Sequence, residues 1–117
     1  MRLLLITAEE AVAERLGPSL ARRGINLLHA STVAQGLNLF RRHRVDVVVL
    51  DGDTPDADIE RDGQRFRRSR RAVAFMVVSE VPPRGGPAVD FHFAPPITAR
   101  KLLYRIRRYV QGETSVL

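Results

Sequence analysis

Short apolar runs alternate with amphipathic stretches along this chain. Leu3–Ile6, Val47–Leu50 and Val73–Val78 contain only apolar residues, and each run is too short to be a buried helix. Runs of this kind are typical of strands that are covered on both faces, as in a parallel sheet. Two further short strands are predicted at Ile25–His29 and Phe91–Phe93.

The stretches between these strands have the apolar spacing of helices. In the clearest one, Leu102 and Ile106 share a face, and Thr98 precedes the first turn as a cap. Pro18 predicts a kink or a break near Gly17 in the first helix. Helices are therefore predicted over residues 10–23, 33–42, 58–70 and 99–110.

Residues 80–89 connect the last two strands and differ from the other connections. They contain three prolines and two glycines, which disfavour a helix. A loop, or at most one helical turn, is predicted there. The chain is therefore predicted to be an α/β protein with a parallel sheet and helices on both faces, one after each of the first, second, third and fifth strands.

Length and composition exclude several classes of protein. The 117 residues fit one domain, and 44% apolar with 27% charged residues is an ordinary globular balance. No cysteine is present, and the three histidines lack metal-ligand spacing. No apolar run is long enough for a membrane span or a signal peptide, so a cytoplasmic location is expected. Residues 1–111 are predicted to form the domain and residues 112–117 a polar tail or the start of a linker.

The formal charge is +6, with eighteen arginines and one lysine. Such a charge is compatible with nucleic-acid binding or with a general bias of the gene towards arginine codons. The arginines are spread over several segments, and the densest run, residues 61–71, has Phe66 as its one aromatic residue. Both observations disfavour a nucleic-acid site.

Polar residues follow the strands at the edge where a parallel sheet places its ligand sites. Asp51 ends the third strand, and Asp53, Asp56 and Asp58 come soon after it. Turn chemistry explains part of this cluster, because Asp58 can cap the third helix. No catalytic triad, glycine-rich phosphate loop or calcium loop is present, so enzyme activity is not expected. The other residues at this edge are Thr7, Ala8, Glu9, Ser79 and Ala94.

These residues resemble, in order and spacing, the receiver domain of bacterial two-component response regulators. The resemblance implies a flavodoxin-like (CheY-like) sheet with strand order 2-1-3-4-5. It places Asp51 at the phosphoacceptor position and Ser79 and Phe91 at the two switch positions. Ala94-Pro95 stands at the family's Lys-Pro step, which implies a cis Ala94–Pro95 peptide bond. The segments that carry the resemblance are residues 34–37, 46–56, 79, 91, 94–95 and 102–106.

Departures from the family pattern indicate a degenerate receiver, or pseudo-receiver. Thr7 and Ala8 stand where receivers carry two adjacent metal-binding acids, and Ala94 replaces the family lysine. No cofactor is expected, and Mg²⁺ would be weakly held by Asp51 with Asp53 or Glu9. Two roles for Asp51 stay open. In the first, it is a relic or a residue that locks the pocket by hydrogen bonds to Thr7 and Ser79. In the second, a dedicated kinase phosphorylates it slowly.

Three functions are therefore considered. The first is a phosphorylation-independent interaction module of two-component signalling and transcription regulation, which an effector domain beyond Leu117 could accompany. The second is a working phosphoacceptor with weakened Mg²⁺ binding, and the third is a basic domain that binds nucleic acid. Under the first, Tyr104, Arg105 and Arg108 are predicted to bind a signalling protein or a second copy through the fifth strand and last helix.

Overall fold

A computed structural model describes residues 1–69, 73–83 and 88–110. The strands are β1 (Arg2–Ile6), β2 (Asn26–Ala30), β3 (Val47–Asp51), β4 (Ala74–Val78) and β5 (Phe91–Phe93). The helices are α1 (Glu10–Ala21), α2 (Val33–Arg42), α3 (Ile59–Ser69) and α4 (Ala99–Val110).

All strands pair in parallel in the order β2-β1-β3-β4-β5, which confirms the predicted fold class and strand order. In the centre, Leu3 of β1 lies beside Val47 of β3, which in turn lies beside Ala74 of β4. Because the strands are parallel, all their carboxyl ends lie at one edge of the sheet. Asp51 and the loops after β1, β4 and β5 therefore meet at that edge.

Helices cover both faces of the sheet, and this explains the unbroken apolar runs. Leu3 and Leu5 belong to the core under α1 and α4, whereas Leu4 and Ile6 belong to the core under α2 and α3. All four side chains are fully buried. A strand with a helix layer on each face has no solvated side, so the positions beneath the helices are apolar on both faces.

Helix α1 has no break near Gly17, since it continues through Pro18 to Ala21. Leu16 and Leu20, on either side of the proline, are both buried in the core. Their burial outweighs the local cost of proline within the helix. The helix is followed by Gly24 in the left-handed region, with φ of 77°.

The connection between β4 and β5 has no helix among its described residues, 79–83 and 88–90, as predicted. Residues 84–87 of that predicted loop lie outside the described ranges, as do the domain boundary at 111 and the tail over 112–117. The predicted cis Ala94–Pro95 bond is wrong, since the cis bond is Pro95–Pro96. Both bonds precede a proline, and the family's Lys-Pro step placed the cis bond one residue too early.

Candidate functional site at the carboxyl edge of the sheet

Asp51 is half-buried at the end of β3, and both of its carboxylate oxygens accept hydrogen bonds from the protein. The Thr7 hydroxyl donates to Oδ2 at 2.8 Å. The backbone N–H of Asp53 donates to Oδ1 at 3.0 Å. The predicted hydrogen bond between Asp51 and Thr7 is therefore confirmed.

Thr7 is fully buried and is held in place on several sides. Its hydroxyl accepts a hydrogen bond from the Glu9 N–H at 3.2 Å while it donates to Asp51. Its own N–H donates to the Ala30 carbonyl at 3.0 Å. Nε2 of His29 lies 2.8 Å from the Thr7 carbonyl, and because a carbonyl can only accept, this nitrogen carries the proton. The Thr7 hydroxyl is thus a fixed donor to Asp51.

Ser79 forms no hydrogen bond with Asp51, so the second half of the predicted lock is wrong. The Ser79 hydroxyl donates to the Val81 carbonyl at 2.6 Å. Nε2 of His92, on β5, lies 3.1 Å from the same hydroxyl and 2.9 Å from the Ser79 carbonyl. The Ser79 hydroxyl therefore has two hydrogen-bond partners other than the Asp51 carboxylate.

The other predicted metal ligands do not gather around Asp51. Glu9 and Asp53 are exposed, and their carboxylates make no hydrogen bond or ion pair within the described ranges. In that part of the chain, no three acidic or histidine side chains are placed to hold a metal ion. Mg²⁺ prefers six oxygens in near-octahedral geometry, usually with one or two carboxylates. The residues present do not fit a receiver-type magnesium site.

Among the described residues, no cation stands in for the lysine that the resemblance implies at Ala94. Lys101 donates from its ammonium group to the carbonyls of Ala94 at 2.9 Å and Pro96 at 3.1 Å. Its charge is thereby held at the loop between β5 and α4. Asp51 forms no ion pair with any residue in the described ranges.

Two other aspartates of the cluster after β3 have structural roles. Asp58 accepts from the Arg61 N–H at 3.1 Å and so caps α3, as predicted. The Asp56 carboxylate accepts from the N–H groups of Val33 at 2.8 Å and Ala34 at 3.1 Å. Asp56 therefore fastens the loop after β3 to the first turn of α2, a contact between distant segments that no local pattern predicts.

The contacts of Asp56 also shift the pKa of its carboxyl group. Partial loss of hydration raises the pKa of the carboxyl, but the backbone hydrogen bonds, from Val33 and Ala34 above all, and the charge of Arg61 outweigh this effect. The pKa consequently lies below its ordinary value. A carboxyl group whose pKa is lower in the folded than in the unfolded state stabilises the folded state at pH values above its unfolded pKa. This stabilisation is lost as the pH falls through the folded-state pKa.

Asp56→Ala should lower the free energy of unfolding by about 1 kcal/mol at pH 7, the usual cost of losing a helix cap. The difference from the original chain should be constant between about pH 5 and 7 and should shrink below about pH 4. Urea denaturation at several pH values measures it. If the difference in unfolding free energy between the two chains grew as the pH fell, the lowered pKa assigned to Asp56 would be wrong.

The two remaining groups of predicted residues lie on β5 and α4. Phe91 is fully buried, and its ring packs at 75° to the ring of Tyr109, with centroids 6.4 Å apart. Tyr104 is exposed, and Arg108 Nη1 donates to its hydroxyl at 2.6 Å. The guanidinium groups of Arg105 and Arg108 lie 5.4 and 5.5 Å from the centre of the Tyr104 ring.

Comparison with known proteins supports the same architecture. No family model matches the sequence, and no curated protein is similar to it. The structure is similar to the receiver domain of an HD domain-containing protein from Pseudomonas fluorescens Pf-5 (TM-score 0.81, 19% identity, 95% of this chain and 94% of that one). It is also similar to a response regulator receiver domain from Clostridium thermocellum (0.78, 18%, 95% and 94%). A third similar structure is the receiver domain of the hybrid histidine kinase CckA (0.77, 22%, 95% and 100%).

The chain has the receiver fold. Within this fold, Asp51 stands at the end of the central strand β3, and Thr7 and Ala8 stand after its neighbour β1. None of the described helices is both long and apolar enough to cross a membrane.

Sequence reasoning missed three polar side chains that organise this region of the receiver fold. His29 and His92 hydrogen-bond to the residues after β1 and β4, and Asp90 is buried just before β5. The histidines lack metal-ligand spacing, so nothing in the sequence indicated a role for them. Asp90 directly precedes a buried strand, as Asp46 does, and that position was the one available indication of a structural carboxylate.

Proposed function

We propose that this domain is an atypical receiver that serves as a protein-interaction module in signalling, with an output that does not depend on phosphorylation of Asp51. The observation that supports this most directly is the state of Asp51, whose two oxygens accept hydrogen bonds from Thr7 and from the Asp53 backbone. In this arrangement the carboxylate is part of the protein's own hydrogen-bond network.

The chemistry of phosphoryl transfer gives a second argument. Transfer to a carboxylate depends on positioning and on neutralising the charge of the phosphoryl group. Here the neighbouring groups at the end of β1 are a hydroxyl and a methyl, and Ala94 offers no cation. Loss of one such electrostatic contact costs about 3–4 kcal/mol of transition-state stabilisation where it has been measured. Several contacts are missing, so phosphorylation of Asp51 would be slower by orders of magnitude.

Acetyl phosphate should therefore leave the chain unmodified at Asp51. Intact-mass spectrometry after incubation with Mg²⁺ should give the same spectrum for the original chain and for Asp51→Asn, while an ordinary receiver treated in parallel gains one phosphoryl group. A stoichiometric adduct that disappears in Asp51→Asn would overturn the proposal and favour the working phosphoacceptor.

The interaction surface we assign to this module lies on β5 and α4. Tyr104 is 51% exposed and is bracketed by Arg105 and Arg108, residue types that are enriched at the energetic centres of interfaces. The similar receiver domains belong to an HD domain-containing protein and to a hybrid histidine kinase. A signalling partner, or a second copy of this chain, is the kind of molecule this surface would contact.

A further inference from the structure

An open groove of about 870 Å³ runs between the end of α1 and α4. Its apolar lining comes from Phe93, Ala99 and Leu103. A smaller depression of about 310 Å³ shares Leu103 with it and adds Met1 and Ile106. The apolar lining therefore continues along α4 towards the start of the chain.

The groove has a strongly positive border. Its charged lining residues are all cationic: Arg22, Arg23, Arg100, Lys101, Arg105 and Arg107. Helix α4 itself contains five cationic residues and no acidic one. The lining thus combines an apolar surface with positive charge on both helices.

Four of these cations have no acidic partner among the described residues. Arg22, Arg23, Arg100 and Arg107 form no ion pair in the described ranges. On α3, by contrast, Arg61 and Arg65 pair with the buried Asp62. The overall bias towards arginine therefore does not account for the groove, because here the arginines have no acidic counterpart among the described residues.

We propose that this groove binds an acidic amphipathic helix of a partner protein. The apolar lining matches an apolar stripe, and the cations match acidic residues on its flanks. The 12 residues of α4 extend about 18 Å, which accommodates about three turns of a partner helix. This inference rests on the proposed function as an interaction module and specifies its partner chemistry.

Nucleic acid fits this groove less well. Single strands bind through aromatic rings on which bases stack. Tyr104 is the one exposed aromatic residue in the described ranges, and its ring already contacts the guanidinium groups of Arg105 and Arg108. Duplex phosphates would use the cations but not the apolar lining.

The test uses fluorescence anisotropy with a labelled helical peptide of about 16 residues that carries leucine on one face and glutamate on both flanks. A scrambled peptide of the same composition and a duplex of about 20 base pairs serve as competing probes. The amphipathic peptide should bind more tightly than either. Arg100→Glu with Arg107→Glu should weaken its binding by about tenfold or more.

The matched control reverses the same charge on the other face of the sheet. Arg41→Glu with Arg42→Glu, two exposed positions at the end of α2, should change the affinity by less than about twofold. Arg100→Gln with Arg107→Gln gives a milder form of the groove change if the glutamates disturb folding. No binding of the amphipathic peptide, equal binding of the scrambled peptide, tighter binding of the duplex, or equal loss in the control would overturn the inference.

Failure of the proposed function has a different signature. If the module is independent of phosphorylation, Mg²⁺ with beryllofluoride should leave the peptide affinity unchanged. An Asp51-dependent change in affinity, with the groove variants still defective, would refute phosphorylation independence and leave the groove assignment standing.

Discussion

Asp90→Ala should lower the free energy of unfolding by about 3 kcal/mol. Asp90 is buried immediately before β5. Its carboxylate accepts from the N–H of Phe75 in β4 at 2.8 Å and forms a short ion pair with Arg67 of α3. Its backbone N–H donates to the Phe75 carbonyl at 2.9 Å. Alanine would leave a buried N–H and a largely buried guanidinium without their acceptor.

The position of Asp90 explains why the effect should be large. Its neighbour Ala88 lies close to α3, since a Cβ added at Gly63 would meet the Ala88 Cβ at 3.0 Å and the Phe75 ring at 3.1 Å. Asp90 and this close packing together hold the segment before β5 against α3. Losing the Asp90 carboxylate would therefore remove the ion pair and also loosen the attachment of β5.

Urea denaturation measures the change, with two controls. Asp90→Asn keeps an acceptor for the Phe75 N–H and should cost less than alanine. Asp53→Ala removes an exposed carboxylate and should stay within about 0.5 kcal/mol of the original chain. A loss below about 1 kcal/mol for Asp90→Ala would show that the ion pair and the buried hydrogen bond contribute little.

The sheet could be predicted because its signals are local. The unbroken run Val47–Leu50 reflects burial on both faces, and the caps at Thr98 and Asp58 depend on residues three positions away. Pro18 does not break α1, because the burial of Leu16 and Leu20 outweighs its low local propensity. The burial of Leu16 and Leu20 depends on how α1 packs against the sheet, which cannot be inferred from the sequence of α1 alone.

The candidate site was predictable in its position but not in all its contacts. Parallel strands bring Asp51 and Thr7 to the same edge, so their hydrogen bond followed from the topology. Ser79 lies at that edge too, yet its hydroxyl contacts His92 and the Val81 carbonyl. The choice between these partners depends on side-chain directions at the ends of β4 and β5, which strand order alone leaves undetermined.

The proposed function predicts that three substitutions should allow phosphoryl chemistry at Asp51. The triple variant Thr7→Asp, Ala8→Asp, Ala94→Lys returns to this chain the two acids and the lysine of the receiver pattern. Without metal it should be less stable than the original chain, because Thr7→Asp exchanges a hydrogen-bond donor to Asp51 for a second carboxylate. With Mg²⁺ and beryllofluoride near one hundred times their dissociation constant, its free energy of unfolding should rise by about 2.7 kcal/mol.

Differential scanning fluorimetry with and without Mg²⁺ and beryllofluoride measures both effects. The triple variant should gain several degrees in its thermal midpoint, about 4 °C or more, whereas the original chain should stay within about 1 °C. Adding Asp51→Asn to the triple variant should abolish the gain, because the beryllofluoride needs that carboxylate. An equal gain in the original chain would mean that Asp51 binds beryllofluoride in the presence of Thr7, Ala8 and Ala94, and would contradict the proposed function. A gain that persists without Asp51 would place the ligand outside this site.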